Sequence, residues 1–381
     1  MERNEEIELI EHCLELARAK RPPSEGHEAS IPVARYLDPS RFAQELEHLF
    51  RGGPVLAAHV SELATPGDFV TREIAGIPVL LVRSDEGMSA FLNVCRHRGA
   101  IVEPREHGRC KRFVCPYHAW TYDRHGTLVH LRHREGFPSV VPGELSLRRL
   151  PCLEAAGFVW VVADPSAAVE LDAFLPPALV DELRGLEAEQ LEVFASERRV
   201  WRANWKLLVD GGLEAYHFKI AHRDTIASLF LDTIAPYQPF GACSRMVLPR
   251  SSILELAERP REQWRLRDHA NILYGLFPSA TLLVQSDHVV LVSIMPLDLG
   301  SSMVELHTLA PKGARGGSRE GYWRKNHALT ITTLAEDFAL GEQIQRGLAS
   351  GANECFRLGR FEAAIERLHA TIDARIGMPG G

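Results

Sequence analysis

The sequence predicts an α+β protein in which a small antiparallel β domain precedes a larger domain of helices and antiparallel strands. Three observations support this prediction. The chain has 381 residues, a length typical of about two domains. Residues 54–165 contain short β runs separated by turn signals, whereas residues 166–381 combine strand-like runs with longer helical periodicity. The Asp164-Pro165-Ser166 tripeptide is the expected boundary between the two domains.

The chain opens with an amphipathic pattern that predicts a helix over residues 5–20. One stripe of this helix is apolar and consists of Ile7, Ile10, Leu14 and Ala17. The RPPSEG stretch that follows is typical of a linker, so residues 1–30 are predicted to form an N-terminal helical arm. A second helix is expected to start at Asp38-Pro39-Ser40, because proline is tolerated in the first helical turn.

The first domain is predicted to span residues 31–165, including this preceding helix. Its β runs are separated by the turn signals Ala75-Gly76 and Asp85-Glu86-Gly87. The predicted strands cover residues 69–74, 79–83, 91–94 and part of 147–162. They indicate a small antiparallel β domain with long loops at one end.

The second domain is predicted to span residues 166–381. Helical patterns cover residues 172–191, 204–222, 321–348 and 360–376. Strand-like runs cover residues 194–201, 281–285, 289–295 and 304–309. This mixture favours an α+β domain with an antiparallel sheet.

Composition excludes several classes of protein. Hydrophobic residues make up 45% and charged residues 24%, as in an ordinary globular protein. The net charge of −7 argues against nucleic acid as the main partner. No segment approaches the roughly 20 apolar residues of a membrane span, and the acidic N-terminus does not resemble a signal peptide. The seven cysteines show no disulfide spacing, so we expect a cytoplasmic protein.

Two short pairs of soft ligands stand out in residues 91–120. Cys95 and His97 form a C-x-H pair, Cys115 and His118 form a C-x-x-H pair, and 17 residues separate the two pairs. Such a set predicts a tetradentate metal site. Zinc is one occupant to consider. Each pair mixes one thiol with one imidazole, however, which suits a 2Fe–2S cluster whose irons take two thiolates and two imidazoles respectively.

The sequences around the two pairs, CRHRG and CPYHAWTYD, closely resemble the cluster-binding motifs of the Rieske iron–sulfur domain. The resemblance implies that residues 31–165 carry a Rieske 2Fe–2S cluster. The implied ligands are Cys95, His97, Cys115 and His118.

A second group of ionisable residues lies in the segment 204–222. Asp210, Glu214 and His217 are spaced i, i+4, i+7, so a continuous helix would place them on one face. His217 and His222 are five residues apart, which puts them ~140° apart around a regular helix. Both can bind one metal only if the helix bends, unwinds or bulges between them, and such distortions often mark functional sites.

Two histidines and one distant carboxylate form the facial triad of non-haem Fe(II) oxygenases. The N-W-K…E-x-Y-H-x4-H stretch resembles the catalytic domain of Rieske non-haem iron oxygenases of the α-subunit, aromatic-ring-hydroxylating type. The resemblance covers about residues 30–375 and implies a helix-grip catalytic domain. It also implies that His217, His222 and Asp337 bind iron, with Glu336 as the fallback carboxylate.

An oxygenase of this type needs electrons. The glycine pairs at 211–212 and 316–317 do not match a nucleotide-binding fingerprint, so NAD(P)H is expected to act through a separate reductase, with or without a ferredoxin. By resemblance, Glu214 bridges His217 to His118 of a neighbouring subunit, which implies a homotrimer. Asp210 and Glu214 are the catalytic candidates, and whether a separate β subunit exists stays open.

The substrate is less defined by the sequence. Mostly apolar candidate pocket segments favour O2-dependent hydroxylation or demethylation of a small aromatic or alicyclic molecule, as in aromatic hydrocarbon catabolism by a monooxygenase or dioxygenase. The alternative is a quaternary ammonium compound held by an aromatic cage. Candidate cage residues are Trp201, Trp205, Tyr216, Tyr237 and Tyr274. Two further classes remain as alternatives: a Rieske electron carrier and a zinc-stabilised binding protein.

Overall fold

The structure is a computed structural model that describes residues 1–23, 26–168 and 170–377. The chain folds into two compact units. The small unit comprises Leu46–Leu171 with Glu187–Glu192, and the large unit comprises Met1–Glu45, Asp172–Leu186 and Val193–Gly381. The domain limits predicted at residues 30 and 165 stay a prediction, and residues 24–25 of the expected linker lie outside the described residues.

The N-terminal part of the large unit begins with the helix that the sequence predicted. Ile10 and Leu14 on its apolar stripe are 0% and 3% exposed, because this face packs into the unit. The elements of this part are α1 Arg3–Ala19, β1 Ala29–Pro32, α2 Ala34–Leu37 and α3 Pro39–Glu45.

The small unit is built from short antiparallel strands. In chain order they are β2 Val55–His59, β3 Asp68–Ile74, β4 Ile77–Ser84, β5 Gly87–Leu92, β6 His107–Arg109, β7 Arg112–Val114, β8 Thr121–Asp123, β9 Leu128–His130, β10 Arg149–Leu150, β11 Cys152–Ala155 and β12 Phe158–Val161. They form sheets of order β10-β5-β4-β3-β6, β11-β12-β2 and β7-β8-β9.

The predicted turn between β3 and β4 has a characteristic backbone: Ala75 and Gly76 have φ of 47° and 80°. Positive φ at both central residues is typical of a two-residue hairpin turn, so this predicted turn is confirmed.

The core of the small unit surrounds the two predicted ligand loops. Cys95 and Cys115 are 3% and 2% exposed and belong to an apolar cluster with Phe69, Phe91 and Trp120. The sheets therefore present both cysteines inside the core rather than on the surface.

The large unit continues with helices around a sheet of seven strands. Its remaining helices are α4 Pro177–Arg184, α5 Trp205–Asp210, α6 Phe218–Ala221, α7 Leu266–His269, α8 Glu320–Leu348 and α9 Ala363–Arg375. Its remaining strands are β13 Leu191–Trp201, β14 Tyr237–Phe240, β15 Cys243–Pro249, β16 Ala270–Leu276, β17 Ala280–Val284, β18 Val289–Asp298, β19 Ser301–Pro311 and β20 Cys355–Leu358. The main sheet has the order β13-β19-β18-β17-β16-β15-β14, and β20 pairs with β1. The predicted α+β class is confirmed.

Two predicted helices are shorter in the structure. The expected helix over 172–191 contains only α4 and single 3-10 turns, because Pro176 and Pro177 delay its start and Gly185 follows its end. The expected helix over 204–222 is broken into α5, one 3-10 turn and α6. The break follows Asp210 at Gly211-Gly212, where the helical conformation is least favoured.

Close packing of α8 on α5 positions the site described next. Gly341 on α8 faces Leu208 on α5, and a Cβ at Gly341 would lie 2.8 Å from Leu208 Cδ2. A side chain at this position would therefore push the two helices apart. Asp337 is one turn before Gly341 on α8, so this contact sets the distance from Asp337 to the segment that follows α5.

Candidate metal centres

The two predicted cluster loops of the small unit share one backbone arrangement. Cys95 N–H donates to Ala100 O at 2.8 Å, and Cys115 N–H donates to Trp120 O at 2.9 Å. In each loop the fourth residue after the cysteine has positive φ, 78° at Gly99 and 58° at Ala119. The two loops therefore project their cysteine and histidine side chains in a similar way from the ends of the β strands.

These loops bring the four predicted cluster ligands together. The rings of His97 and His118 have centroids 4.6 Å apart, and His97 stacks on Trp120 at 4.9 Å. Burial raises the pKa of the Cys115 thiol, which also interacts with Cys95. His97 Nδ1 is buried and has no hydrogen-bond partner within the described part of the chain. An unpaired buried ring nitrogen fits a site that holds a metal cluster, because buried polar atoms otherwise find hydrogen bonds.

Tyr122 is a polar neighbour of this site that the sequence analysis missed. Its hydroxyl accepts the Arg96 N–H at 3.0 Å and lies 3.4 Å from Cys95 Sγ. Since the backbone amide already donates to the hydroxyl, the tyrosine proton is free to point at the sulfur. The available signal was its position in the CPYHAWTYD motif, immediately after the second ligand loop.

The second site depends on the break in the 204–222 segment. Glu214 has extended backbone angles, φ −147° and ψ 167°, and α6 begins directly after His217. His217 and His222 flank α6 at its two ends, and the centroids of their rings lie 5.1 Å apart. The continuous helical stripe of Asp210, Glu214 and His217 is therefore broken. The distortion was expected between His217 and His222, but the break lies before His217 instead, and α6 connects the two histidines, with Ala221 N–H donating to His217 O at 2.8 Å and His222 N–H donating to Phe218 O at 3.2 Å.

His217, His222 and Asp337 converge on one point. Asp337 Oδ1 lies 3.4 Å from His217 Nε2 and 3.1 Å from His222 Nε2. One ligand atom from each residue lies within 4.8 Å of the others. His217 Nε2 and Asp337 Oδ1 are buried, and neither has a hydrogen-bond partner of good geometry among the residues that the structure describes. Two imidazoles and one carboxylate oxygen arranged in this way fit a single metal ion.

A glutamate contacts the opposite nitrogen of each histidine. Glu214 Oε1 contacts His217 Nδ1, and Glu336 Oε2 lies 2.7 Å from His222 Nδ1. Glu336, the fallback ligand of the sequence analysis, therefore faces the far side of the His222 ring. Burial alone would lower the pKa of His222, but the neighbouring carboxylates of Asp337 and Glu336 raise it.

Asp210 lies in a different environment. Its Oδ2 accepts a hydrogen bond from Tyr36 Oη at 2.7 Å and lies 3.4 Å from His369 Nε2. It is not one of the three residues that converge, and its predicted catalytic role stays a prediction.

The candidate cage residues have separate partners in the described part of the chain. Trp205 Nε1 donates to Glu45 at 3.0 Å, Tyr274 Oη donates to Glu182 at 2.9 Å, and Tyr216 packs on Phe361. Two of these aromatic rings are thus held by carboxylates rather than facing a common space.

Comparison with known families decides between the functional classes. The profile described as "Ring hydroxylating alpha subunit (catalytic domain)" matches residues 182–378, and that of the "Rieske [2Fe-2S] domain" matches residues 53–142. The chain belongs to the ring-hydroxylating alpha subunits. It is therefore a Rieske-type non-haem iron oxygenase, an oxidoreductase with a 2Fe–2S cluster and a mononuclear iron, and these predictions are confirmed. The catalytic-domain match overturns the electron-carrier and zinc-module alternatives.

Several characterised oxygenases are similar to this Rieske oxygenase. It is 28% identical to the oxygenase subunit of glycine betaine monooxygenase from Chromohalobacter salexigens, over 85% of this chain and 80% of that protein. It is 38% identical to the oxygenase subunit of carnitine monooxygenase from Escherichia coli K12, over 51% of this chain and 52% of that protein. Its fold matches a crystal structure of a quaternary ammonium Rieske monooxygenase with a TM-score of 0.78 and 23% identity, covering 92% and 96% of the two chains.

Within the described residues of this oxygenase, helices long and apolar enough to cross a membrane are absent.

Proposed function

We propose that this Rieske oxygenase is the terminal component of a monooxygenase that acts on a small quaternary ammonium compound. In this proposal His217, His222 and Asp337 hold Fe(II), and Cys95, His97, Cys115 and His118 hold the 2Fe–2S cluster. The observation that carries the iron site is that both histidines turn Nε2 toward the same oxygen of Asp337, at 3.4 and 3.1 Å, while a glutamate contacts each Nδ1.

The two groups would supply oxygen activation at the iron and single-electron delivery from the cluster. The protein contributes three ligands, His217, His222 and Asp337, and leaves the other coordination positions of the iron for oxygen and substrate. His217 and Asp337 side chains are 19% and 17% exposed, whereas His222 is 1% exposed. The site is thus closed on the His222 side, whereas the side chains of His217 and Asp337 keep partial exposure.

Charge around the iron site supports a cationic substrate. Glu214, Glu336 and Asp337 surround the two histidines, and Glu362 lies near Glu214. Burial raises the pKa of Glu362, and the charge of Glu214 raises it further. Clustered carboxylates favour a cation over a neutral or anionic molecule.

Aromatic rings line the same region. Phe218 meets the rings of His217 and His222 edge-on at 4.9 and 5.1 Å and packs against Phe230 at 5.8 Å. Aromatic faces attract quaternary ammonium groups. The two relatives reported above, which act on glycine betaine and carnitine, support the quaternary ammonium alternative over the aromatic or alicyclic main interpretation of the sequence.

A substrate screen tests this proposal. The purified oxygenase, a surrogate reductase, NADH and O2 would be incubated with glycine betaine, carnitine and, as competing classes, benzoate and naphthalene. We expect a product that has lost one methyl group, together with formaldehyde, from a quaternary ammonium compound. Product mass is the readout, since oxygen uptake alone also reports uncoupled peroxide release. Hydroxylated products from the aromatic compounds alone would contradict the proposed substrate class.

We further propose that subunits associate head to tail, as a homotrimer, so that the cluster of one subunit serves the iron of the next. Residues 91–140 contain nine Arg and Lys but four Asp and Glu, a net charge of +5 in a chain of net charge −7. By contrast, Glu214 and Glu362 lie near each other, and Tyr216 and Ile220, which follow Glu214 in the chain, are 59% and 74% exposed. This complementarity supports docking of the basic cluster loops on the acidic iron site of a second copy.

An electron donor is also needed. We propose a separate NAD(P)H-dependent reductase as this partner, with or without an intermediate ferredoxin. Sedimentation analysis would test the trimer, and reduction of the cluster by candidate reductases under anaerobic conditions would identify the donor. A monomer with full activity would contradict the head-to-tail arrangement.

A further inference from the structure

Glu336 makes contacts that neither the sequence analysis nor the family comparison assigns. Its Oε2 lies 2.7 Å from His222 Nδ1 and accepts the Thr225 hydroxyl at 2.8 Å. Thr225 is tied to His222 as well, because its backbone N–H donates to His222 O at 3.0 Å. His222, Thr225 and Glu336 thus form a closed ring of contacts between α8 and the turn that follows α6.

The His222 ring is consequently held at both nitrogens by consecutive residues of α8. Glu336 lies at Nδ1 and Asp337 lies 3.1 Å from Nε2. Adjacent helical residues point about 100° apart, and the imidazole ring fills the space between their two carboxylates. His222 is 1% exposed, so water does not compete for either nitrogen.

The second histidine is supported differently. Glu214 comes from the same segment as His217 and accepts the backbone N–H of His217 at 3.2 Å. Glu214 is thus supported locally by its own loop, whereas Glu336 brings its carboxylate from a distant helix and depends on Thr225. Loss of Glu336 would therefore leave the His222 ring held only at Nε2 and would remove the partner of the Thr225 hydroxyl.

We propose that Glu336, supported by Thr225, is a positioning residue that sets the affinity of the mononuclear iron site. Its carboxylate accepts the Nδ1–H of His222, which selects the tautomer whose Nε2 lone pair faces the metal. This inference rests on the proposed function, in which His222 and Asp337 are iron ligands. Outer carboxylates that orient a metal-binding histidine typically contribute about 10- to 100-fold in metal affinity.

The test measures metal affinity rather than turnover. Fe(II) affinity of the mononuclear site would be measured by chelator competition in wild type, Glu336→Ala, Glu336→Gln and Thr225→Val. Glu342→Ala is the matched control, because Glu342 also lies on α8 but accepts the Arg202 backbone N–H instead of contacting a histidine. Thermal unfolding followed by far-UV circular dichroism reports that the large unit of each variant is folded, and the visible spectrum reports that the 2Fe–2S cluster is retained.

We expect Glu336→Ala to weaken Fe(II) binding by about 10- to 100-fold and Thr225→Val to weaken it less. Glu336→Gln should retain most of the affinity, because its amide oxygen still accepts the Nδ1–H. Co(II)-substituted protein provides a second readout: with the cluster oxidised and EPR-silent, a changed Co(II) signal in Glu336→Ala, restored in Glu336→Gln, reports a reoriented His222 ligand.

Unchanged affinity and an unchanged Co(II) signal in Glu336→Ala, with the cluster spectrum intact, would overturn this inference. Failure of the proposed function gives a different result: wild type would bind no Fe(II) or Co(II) at a site abolished by His222→Ala. The two outcomes are therefore distinguished within one set of variants.

Discussion

Gly341 and Leu208 are in a contact that leaves no space for a side chain at residue 341, since a Cβ there would lie 2.8 Å from Leu208 Cδ2. Leu208 is 5% exposed and belongs to α5, which leads into the histidine segment. The contact couples the helix that carries Asp337 to the segment that carries His217 and His222. The lack of a side chain at Gly341 therefore lets α8 approach α5 closely enough for Asp337 to reach the two histidines.

Gly341→Ala is predicted to destabilise the large unit and to lower iron content. Overpacking of a buried contact costs about 1–3 kcal/mol, which exceeds the gain of about 1 kcal/mol from the higher helix propensity of alanine. Gly347→Ala is the matched control, because it lies on the same helix with nothing within 4 Å of its Cβ position. Thermal unfolding and iron analysis would check this. Equal stability changes in both variants would show that the contact is not limiting.

Asp337→Ala is predicted to remove the mononuclear iron and to leave the cluster in place. Iron content should fall from about three to about two atoms per chain, two belonging to the cluster and one to the facial triad. The visible spectrum should not change, because the cluster loops lie in the small unit. Glu342→Ala serves as the control on the same helix. Retention of the third iron in Asp337→Ala would mean that another oxygen ligand completes the site.

Glu214→Gln is predicted to keep both metals and to slow electron transfer from cluster to iron severely. The carboxylate contacts His217 Nδ1, and in the proposed oligomer it also reaches His118 of the neighbouring subunit. Rapid-mixing measurement of cluster reoxidation by oxygen would check this. Glu342→Gln is the control, because the Glu342 side chain accepts the Arg202 backbone N–H and takes no part in the proposed docking of the cluster loops. Rapid transfer in Glu214→Gln would contradict the bridge.

Tyr122→Phe is predicted to lower the reduction potential of the cluster. The lost hydroxyl lies 3.4 Å from Cys95 Sγ, and hydrogen bonds to cluster sulfurs stabilise the reduced state. A redox titration monitored by visible absorbance would measure the change. Tyr117→Phe is a suitable control, because its side chain is 55% exposed and its hydroxyl contacts Arg98. A potential unaffected by Tyr122→Phe would show that this hydroxyl does not donate to the sulfur.

Glu45→Ala is predicted to destabilise the large unit by about 3–5 kcal/mol, because it leaves the buried Lys206 ammonium uncompensated. Both side chains of this pair are 0% exposed and their charged atoms lie 2.5 Å apart. Burial lowers the pKa of Lys206, although Glu45 counteracts this shift. Asp181→Ala is the control, since its partner Arg184 is a surface contact with side chains 70% and 63% exposed. Denaturant unfolding curves that coincide for both variants would contradict the prediction.

Much of the cluster site could be predicted from the sequence because its ligands come in two local pairs. Cys95 with His97, and Cys115 with His118, lie in short loops whose residue spacing limits the metal chemistry. Tyr122 escaped prediction because its role depends on a contact with Cys95 that forms only when β8 packs beside the first loop. The substrate class could not be predicted in the same way, because apolar pocket segments are compatible with an aromatic molecule as well as with a quaternary ammonium compound.

The sequence by itself determined the α+β class and the two ligand pairs of the cluster loops, and it placed His217 and His222 in one short segment. These features depend on neighbouring residues and on hydrophobic periodicity, both of which are local. Only the tertiary structure decided that Asp337, rather than Glu336, faces both histidines and that Asp210 binds Tyr36 instead. Adjacent side chains on α8 point in different directions, so the packing of α8 on α5 selects which carboxylate meets the imidazoles.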